Sequence, residues 1–347
     1  MFPKELVNII ISYIPYWYET KDIINKLDWR CLSTNPGAVG ILENNLDKVD
    51  FCNLCLNSKT GAIRILENNL DKVNWFYLSQ NSNPGALGIL ENNLDKVRWN
   101  LFSQNSNPRA IRILENNLDK VNWYSFSKNT GSLGLLEKYL EKYTNLSENK
   151  INWYNLSANT NPRAIRILEN NLDKVNWKSL SANPGACRIL ENNLDNVDWR
   201  YLSTNPGALG LLEQNLDKVD WFYLSENTNP RAIRLLEQNL DKVDWRYLSS
   251  NPGAVRILEQ NLDKIIWGYL SINTNPRALE ILKNNLDKVD WYSLSKNPGA
   301  CRLLENNLDK VDWFNLSKNE NISTLIYNNN TNRQVINHIK SILYNLT

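Results

Sequence analysis

Hydrophobic and polar positions recur along this chain with a period of mostly 22 or 24 residues. Each unit opens on an aromatic residue and continues through Leu, Asn-Pro, an apolar stripe and a polar turn, most clearly over residues 199–220. The opening residues are Trp29, Phe51, Trp75, Trp99, Trp123, Trp153, Trp177, Trp199, Trp221, Trp245, Trp267, Trp291 and Trp313. So short a period predicts a stack of small units that bury their apolar faces against one another.

The first half of the unit predicts a short helix. Asn205 is a typical N-cap and Pro206 a typical first helical residue. One helical face then carries Ala208, Leu209, Leu211 and Leu212. Asn215 should end the helix in the left-handed conformation that Asn tolerates. The segment 216–219 follows as a tight connector, in which Leu216 and Val219 are expected to be apolar anchors.

The second half predicts another short helix. Asp220 is placed to cap it, and Trp221 and Leu224 lie three residues apart and therefore on one face. Both should be buried between units. The fold class expected is all-α, an α-solenoid of about twelve 22–24-residue two-helix repeats with N- and C-terminal capping helices.

The spacing between the aromatic and the proline locates the variable part of the unit. It is seven residues from Trp199 to Pro206 and nine from Trp221 to Pro230, whereas the distance from each Pro to the next aromatic is constant. The additional Asn-Thr or Asn-Ser pair is therefore placed in a loop. Two units lack the Pro, at Thr60 and at Ser132, and each is a candidate bend.

A leucine-rich repeat is the competing architecture. The period fits, and Val-x-Trp-x-x-Leu-Ser-x-Asn resembles the strand and asparagine ladder of such repeats. Strands would require alternation of apolar and polar residues, whereas Asn-Pro here leads into an i, i+3, i+4 apolar stripe. Helices are favoured.

Three regions follow from the pattern. Residues 1–28 predict an N-terminal capping helix, residues 29–330 the repeat array, and residues 331–347 a C-terminal capping helix. Helices packed about 8–10 Å apart over a dozen units predict an elongated, curved body on the order of 100 Å long.

Composition excludes several classes of protein. Lys and Arg number 39 against 37 Asp and Glu, so the net charge gives no strong attraction to nucleic acid or to an anionic membrane. The first apolar run is too short to span a bilayer and has no signal-peptide cleavage site. A cytoplasmic protein with reduced cysteines is expected, without contact to a membrane.

No constellation in the sequence indicates catalysis, a cofactor or a metal. Cys52 and Cys55 form a C-x-x-C pair, but zinc requires four ligands, and the single His338 lies near the C-terminus. Cys187 and Cys301 occupy a slot that is aliphatic elsewhere, which predicts core residues. The Glu-x-x-x-Asp-Lys wording recurs in nearly every unit, whereas an active site needs one asymmetric cleft. We expect no enzyme.

The two residues after each aromatic vary most between units, and they are our candidates for partner binding. Tyr, Phe and Arg, the residue types of binding hot spots, are frequent there. The candidates are Phe76, Tyr77, Tyr124, Tyr154, Arg200, Tyr201, Phe222, Tyr223, Arg246, Tyr247, Tyr269, Tyr292 and Phe314. The alternative is that these rings only fill space between neighbouring units.

Arginines on the first helix suggest a second function. Arg231 and Arg234 share a helical face, and Glu237 can partly neutralise it. An Arg ridge with aromatic residues would suit single-stranded nucleic acid. The balanced charge makes nucleic acid a less favoured partner than protein.

Residues Phe2 to Leu6 read Phe-Pro-Lys-Glu-Leu, and with Ile10 and Ile14 they resemble the opening helix of an F-box. The residues that carry the likeness are Pro3, Glu5, Leu6, Ile10 and Ile14. The resemblance covers about fifteen residues. It implies a substrate adaptor of a host ubiquitin ligase, bound through residues 1–28 to a Skp1-like adaptor.

The repeat wording N-P-x-A-I-x-x-L-E-x-N-x-D-K-V-D-W-x-x-L-S is similar to short tandem repeats in proteins of giant DNA viruses of the mimivirus kind. That resemblance implies a viral protein in the host cytoplasm. The function expected is a non-enzymatic scaffold for protein–protein interaction with a partner of unknown identity. The F-box-like adaptor and a single-stranded nucleic-acid-binding solenoid are the alternatives.

Overall fold

The structure is a computed structural model and describes residues 25–131, 133–142 and 151–324. Within these ranges the chain forms only helices and turns, so the predicted all-α solenoid is confirmed and the leucine-rich repeat is excluded. We number the units 1 to 13 by their opening aromatic, from Trp29 to Trp313. In units 1 to 12 a Trp helix, named for that aromatic, precedes a Pro helix, and helices of the same kind pack side by side in two layers.

The Trp helices have four to six residues. Their bounds are Trp29–Thr34, Phe51–Leu54, Trp75–Leu78, Trp99–Phe102, Trp123–Phe126, Trp153–Ser157, Trp177–Ser181, Trp199–Thr204, Trp221–Leu224, Trp245–Ser250, Trp267–Ser271, Trp291–Lys296 and Trp313–Leu316. Isolated helices this short are unstable in water, so packing between units must stabilise them.

The Pro helices have five to nine residues. Their bounds are Val39–Glu43, Thr60–Glu67, Pro84–Glu91, Pro108–Glu115, Gly134–Lys142, Pro162–Glu169, Cys187–Glu191, Leu209–Gln214, Pro230–Glu237, Val255–Gln260, Pro276–Lys283 and Cys301–Glu305. In the 24-residue units the α-helix begins at the Pro itself, for example at Pro230. In several 22-residue units Pro-Gly-Ala forms a 3-10 turn first, as at Pro252–Ala254.

Both predicted N-caps form. Asn229 accepts a hydrogen bond from the Arg231 N–H at the start of a Pro helix, and Asp220 accepts one from the Tyr223 N–H at the start of a Trp helix. Units 4, 11 and 12 depart from this pattern: Arg98 and Ile266 occupy the second cap position in units 4 and 11, and Asp290 in unit 12 makes no side-chain cap.

Replacing Arg98 by Asp should therefore stabilise the protein by about 1 kcal/mol, because a carboxylate there can accept the N–H groups that Arg leaves unpaired. Thermal unfolding measures the gain, and Asp220→Ala, which removes the same cap in unit 9, should show a loss of similar size. An Arg98→Asp protein that melts below the wild type would contradict the capping role of this position.

The asparagine that ends each Pro helix acts differently from our prediction. Asn215 has φ −136° and is not left-handed. Its Nδ2 instead donates to the Leu211 carbonyl, 2.9 Å away and one turn earlier. The expectation of a left-handed cap was wrong, because a side-chain hydrogen bond already satisfies one of the last carbonyls of the helix.

The turn between units contains one anchor, not two. Val219 is 7% exposed, whereas Leu216 is 47% exposed. Most described turns repeat this arrangement, so the prediction that both residues are buried anchors was wrong for Leu216 and its equivalents.

The core between the two helix layers contains the leucine of the Trp helix and the serine after it. Leu202 and Ser203 are fully buried. Ser203 Oγ donates to the Trp199 carbonyl at 2.8 Å and accepts the Asp220 N–H at 3.0 Å, which links one unit to the next. Packing and hydrogen bonding therefore both favour a small hydroxyl residue at this position.

The opening aromatics are half-buried, which corrects the expectation that they belong to the core. In most units the Nζ of the turn lysine lies over the aromatic ring of the same unit, for example Lys218 at 5.0 Å from the Trp199 centroid. In unit 5, Tyr139 stacks on Trp123 instead, with ring centroids 3.8 Å apart. The Trp ring therefore packs on the core with one part and binds a cation with another.

A ladder of buried asparagines joins the units. Asn205 Nδ2 donates to the carbonyls of Ser181 and Asn183 in the preceding unit, at 2.9 and 3.0 Å, and Oδ1 accepts the Gly207 N–H. The ladder residues, each six positions after the opening aromatic and at most 6% exposed, are Asn35, Asn57, Asn81, Asn105, Asn129, Asn159, Asn183, Asn205, Asn227, Asn251, Asn273, Asn297 and Asn319. Asn227 belongs to the additional pair of the longer units and lies in the loop between the two helices, as predicted, but it is buried and donates to the Ser203 carbonyl.

The ladder closes on itself. Asn35 in unit 1 donates to the carbonyls of Ser317 and Asn319 in unit 13, at 3.0 and 2.8 Å. The Asp28 N–H donates to Ser317 Oγ at 2.8 Å, as Asp220 does to Ser203 inside the array. Unit 1 therefore follows unit 13 as any unit follows its predecessor, and the thirteen units form a closed ring.

The seam is completed by residues from both ends of the described chain. Lys26 lies over the Trp313 ring at 5.1 Å and thus takes the place of the turn lysine of unit 13. The prediction of an elongated body is therefore wrong, because the two ends of the array meet and close a ring. A constant rotation from unit to unit brings the thirteenth unit back to the first, which no single repeat reveals.

The remaining predictions on the fold fall into two groups. The C-terminal capping helix and residues 1–24 of the N-terminal capping region lie outside the described residues, and the two end units that they would cover pack against each other. The candidate bends at Thr60 and Ser132 do not interrupt the ladder, since Asn81 binds the Asn57 carbonyl and Asn159 the Asn129 carbonyl.

Candidate interaction surfaces

Ten of the thirteen candidate residues for partner binding fall into two structural groups. The first group projects from the ring: Phe76, Tyr124, Tyr154, Tyr292 and Phe314 are 46–62% exposed. Each directly follows the opening aromatic of its unit, and they lie in units 3, 5, 6, 12 and 13.

The second group forms one continuous surface across units 8 to 11. Tyr201 stacks on Tyr223 with centroids 6.1 Å apart, Phe222 meets Tyr247 edge to face at 4.7 Å, and Tyr247 lies 6.4 Å from Tyr269. Phe222 also contacts Tyr223 at 5.1 Å. We call these five residues the aromatic ribbon. Both of our interpretations apply to it, because the rings pack on their neighbours and keep one side towards solvent.

Cations border the aromatic ribbon. Lys178 Nζ lies 4.7 Å from the Tyr201 ring centroid, and the Arg200 and Arg246 guanidinium groups lie 5.9 and 5.5 Å from the Tyr201 and Phe222 centroids. A hydrogen bond with the Tyr201 hydroxyl raises the pKa of Lys178. Lys178 was not among our candidates, although it occupies the slot directly after an opening aromatic, as Arg200 does.

The two arginines are held in place by the capping aspartates of their own units. Arg246 donates to Asp244 at 2.7 Å and Arg200 to Asp198 at 3.0 Å. The hydrogen bond from Arg246 lowers the pKa of the Asp244 carboxyl, against a smaller opposing effect of burial. The guanidinium planes are therefore oriented over the rings before any partner arrives, which reduces the entropy lost on binding.

The position of the ribbon tyrosines, two residues after the opening aromatic, holds a small or polar residue in most other units. The residue two positions after the opening aromatic is a Tyr in each of units 8 to 11 and in unit 3, where Tyr77 is the equivalent. In the other units the slot holds Cys31, Asn53, Leu101, Ser125, Asn155, Ser179, Ser293 and Asn315. The ribbon thus makes one arc of the ring chemically different from the rest.

The arginine ridge of the Pro helices is partly neutralised between units. Arg231 pairs with Glu213 of the preceding unit, and Arg109 pairs with Glu91 at 2.6 Å. We expected pairing with a Glu on the same helix, such as Glu237 for Arg234; the recorded pairs instead cross the groove between adjacent Pro helices. Such exposed pairs add little stability, but they reduce the cationic field available to a phosphate backbone.

The surroundings of the cysteines do not indicate a metal site or a reactive thiol. Cys55 is fully buried in the serine slot of unit 2, its Sγ donates to the Phe51 carbonyl at 3.2 Å, and burial raises its pKa to about 11. Cys52 of the C-x-x-C pair is exposed. Cys187 and Cys301 are half-buried, and burial raises the pKa of each. Over the described residues, no three His, Cys, Asp or Glu side chains are grouped so that they could hold a metal.

The F-box-like residues Pro3, Glu5, Leu6, Ile10 and Ile14 lie outside the described residues. None of the described helices is long and apolar enough to cross a lipid bilayer. Comparisons with protein-family models, curated proteins and solved structures found no match to this chain.

Proposed function

We propose that this closed helical ring is a non-enzymatic scaffold that binds a protein partner through the aromatic ribbon. The carrying observation is the unbroken contact of five aromatic rings across four adjacent units, bordered by Lys178, Arg200 and Arg246. Tyr and Arg are the residues most enriched at binding hot spots. The fold of a unit does not require an aromatic ring two positions after the opening aromatic, since Ser occupies that position in units 5, 7 and 12.

Single-stranded nucleic acid is the second candidate, because bases stack on aromatic rings bordered by cations. The ion pairs of Arg200 with Asp198 and of Arg246 with Asp244 disfavour it, since they neutralise the charges that would meet phosphates. An F-box-like adaptor role through residues 1–28 stays a prediction from the sequence.

The test replaces the four ribbon tyrosines Tyr201, Tyr223, Tyr247 and Tyr269 by Ser, which the same slot accepts elsewhere. Proteins captured from a cell lysate by wild type and variant are quantified by mass spectrometry. Hot-spot rings contribute about 2 kcal/mol or more to binding, so their loss should reduce the affinity for the partner at least ~30-fold.

The matched control replaces Tyr124, Tyr154 and Tyr292 by Ser, because these rings are exposed but lie outside the ribbon. It should retain the partner that the ribbon variant loses. Equal capture by the wild type and the ribbon variant would refute the proposal. Salt-sensitive retention of the wild type on single-stranded RNA, lost in the ribbon variant, would assign the surface to nucleic acid instead.

A further inference from the structure

A second apolar surface recurs around the ring. The first residue of the turn between units is Leu, and in eight described turns its side chain is 36–49% exposed. We call this set the leucine rim: Leu46, Leu70, Leu118, Leu172, Leu194, Leu216, Leu262 and Leu286. The valines of the same turns, such as Val73, Val121 and Val219, are buried, whereas the rim leucines are exposed to solvent.

Charges of both signs accompany seven of the eight rim leucines, whereas Leu194 is followed by Asp195 and Asn196. Leu216, for example, is followed by Asp217 and Lys218, both exposed. The recorded ion pairs of the described residues include none of these turn aspartates. The turn lysines lie over the opening aromatics and are likewise outside those pairs, as Lys218 is over Trp199. Seven of these turns thus offer an apolar group, an anion and a cation together.

Closure of the ring determines what can cover such a rim. Since the rim leucines occupy the same turn position in eight units of a closed circle, a partner that contacts them together must match both the circumference and the spacing of the units. A second copy of this chain does so by construction. A two-fold axis reverses the order of groups along the facing rim, so Asp-Lys of one copy can face Lys-Asp of the other.

Area and net charge are consistent with such an association. Eight leucines exposed to this extent present on the order of 600 Å² of apolar surface, most of the roughly 800 Å² per partner of a standard interface. The formal net charge is only +2, so two copies repel each other weakly.

We propose that two copies of the ring associate face to face through the leucine rim. This contact uses the turns between units, and it is independent of the aromatic ribbon and of the proposed function. Leucine packs on leucine across the interface, and the turn aspartates and lysines of the two copies form the pairs that they lack within one copy.

Analytical ultracentrifugation of the full chain at micromolar concentration tests this proposal. The wild type should sediment with twice the mass of the 40.3 kDa chain. Combined Leu70→Glu, Leu216→Glu and Leu262→Glu replacements should give the mass of one chain, because each buries a carboxylate in the interface. Circular dichroism checks that the variant keeps its helices.

A second variant keeps the apolar residues and removes only the charge complementarity. Asp71→Lys, Asp217→Lys and Asp263→Lys together should weaken the dimer at least ~10-fold, since like charges then face each other. Tyr124→Ser with Tyr154→Ser removes exposed rings elsewhere and should leave the dimer intact. A wild type with the mass of one chain, or a dimer that persists in both rim variants, would overturn the proposal.

Discussion

Asn205→Ala should destabilise the protein by about 3–4 kcal/mol, the largest effect that we expect from one side chain. The asparagine is fully buried, and its amide satisfies two carbonyls of the preceding unit and the N–H of Gly207. Alanine would leave these backbone groups buried and unpaired, at about 1–3 kcal/mol each before relaxation. Chemical denaturation, followed by helical circular dichroism, measures the loss.

Asn215→Ala in the same unit is the matched control. That asparagine is half-buried and makes a single hydrogen bond, to the Leu211 carbonyl, so its removal should cost about 1 kcal/mol. Equal losses in the two variants would show that the ladder contributes no more than an ordinary helix end does.

Gly37→Ala should open the ring at its seam. A Cβ atom at this position would overlap the Glu320 carbonyl oxygen of unit 13, and Ser323 Oγ donates to the Gly37 carbonyl at the same place. Relief requires unit 1 to move away from unit 13, which strains the Asn35 and Asp28 hydrogen bonds across the seam. We expect a loss of about 1–3 kcal/mol, with a larger radius of gyration by small-angle X-ray scattering.

Gly210→Ala is the control for the seam. This glycine lies within the Pro helix Leu209–Gln214 and has no atom within 4 Å of an added Cβ. Alanine should stabilise the helix there by about 0.5–1 kcal/mol and leave the scattering unchanged. If Gly37→Ala is as stable and as compact as Gly210→Ala, the two end units do not pack as the structure has them.

Closure changes how the ends of the array are stabilised. An open solenoid exposes one apolar face at each end and needs capping elements. Here the faces of units 1 and 13 bury each other, with Asn35 and Asn319 continuing the ladder across the seam. The energetic unit is therefore the ring, and a local defect such as Gly37→Ala should reach both ends of the chain at once.

The candidate site was accessible from sequence only in part. Comparison of units indicated the variable slots after each aromatic, and Tyr201, Tyr223, Tyr247 and Tyr269 were among them. Their contact with one another depends on the rotation between neighbouring units, which the sequence does not state. Lys178 was missed for the same reason, since it belongs to unit 7 and meets the ribbon only across the boundary with unit 8.

The sequence by itself determined the local structure of this protein. Asn-Pro, the capping Asp before each Trp and the apolar stripe define two short helices per unit, because capping and helical periodicity act over a few residues. The tertiary structure alone decided that Asn205 is a buried bridge, that Trp199 lies half-exposed under Lys218, and that Leu216 faces solvent. It also closed the ring. The small rotation from one unit to the next is set by packing between units, so the sequence of a single unit does not reveal it.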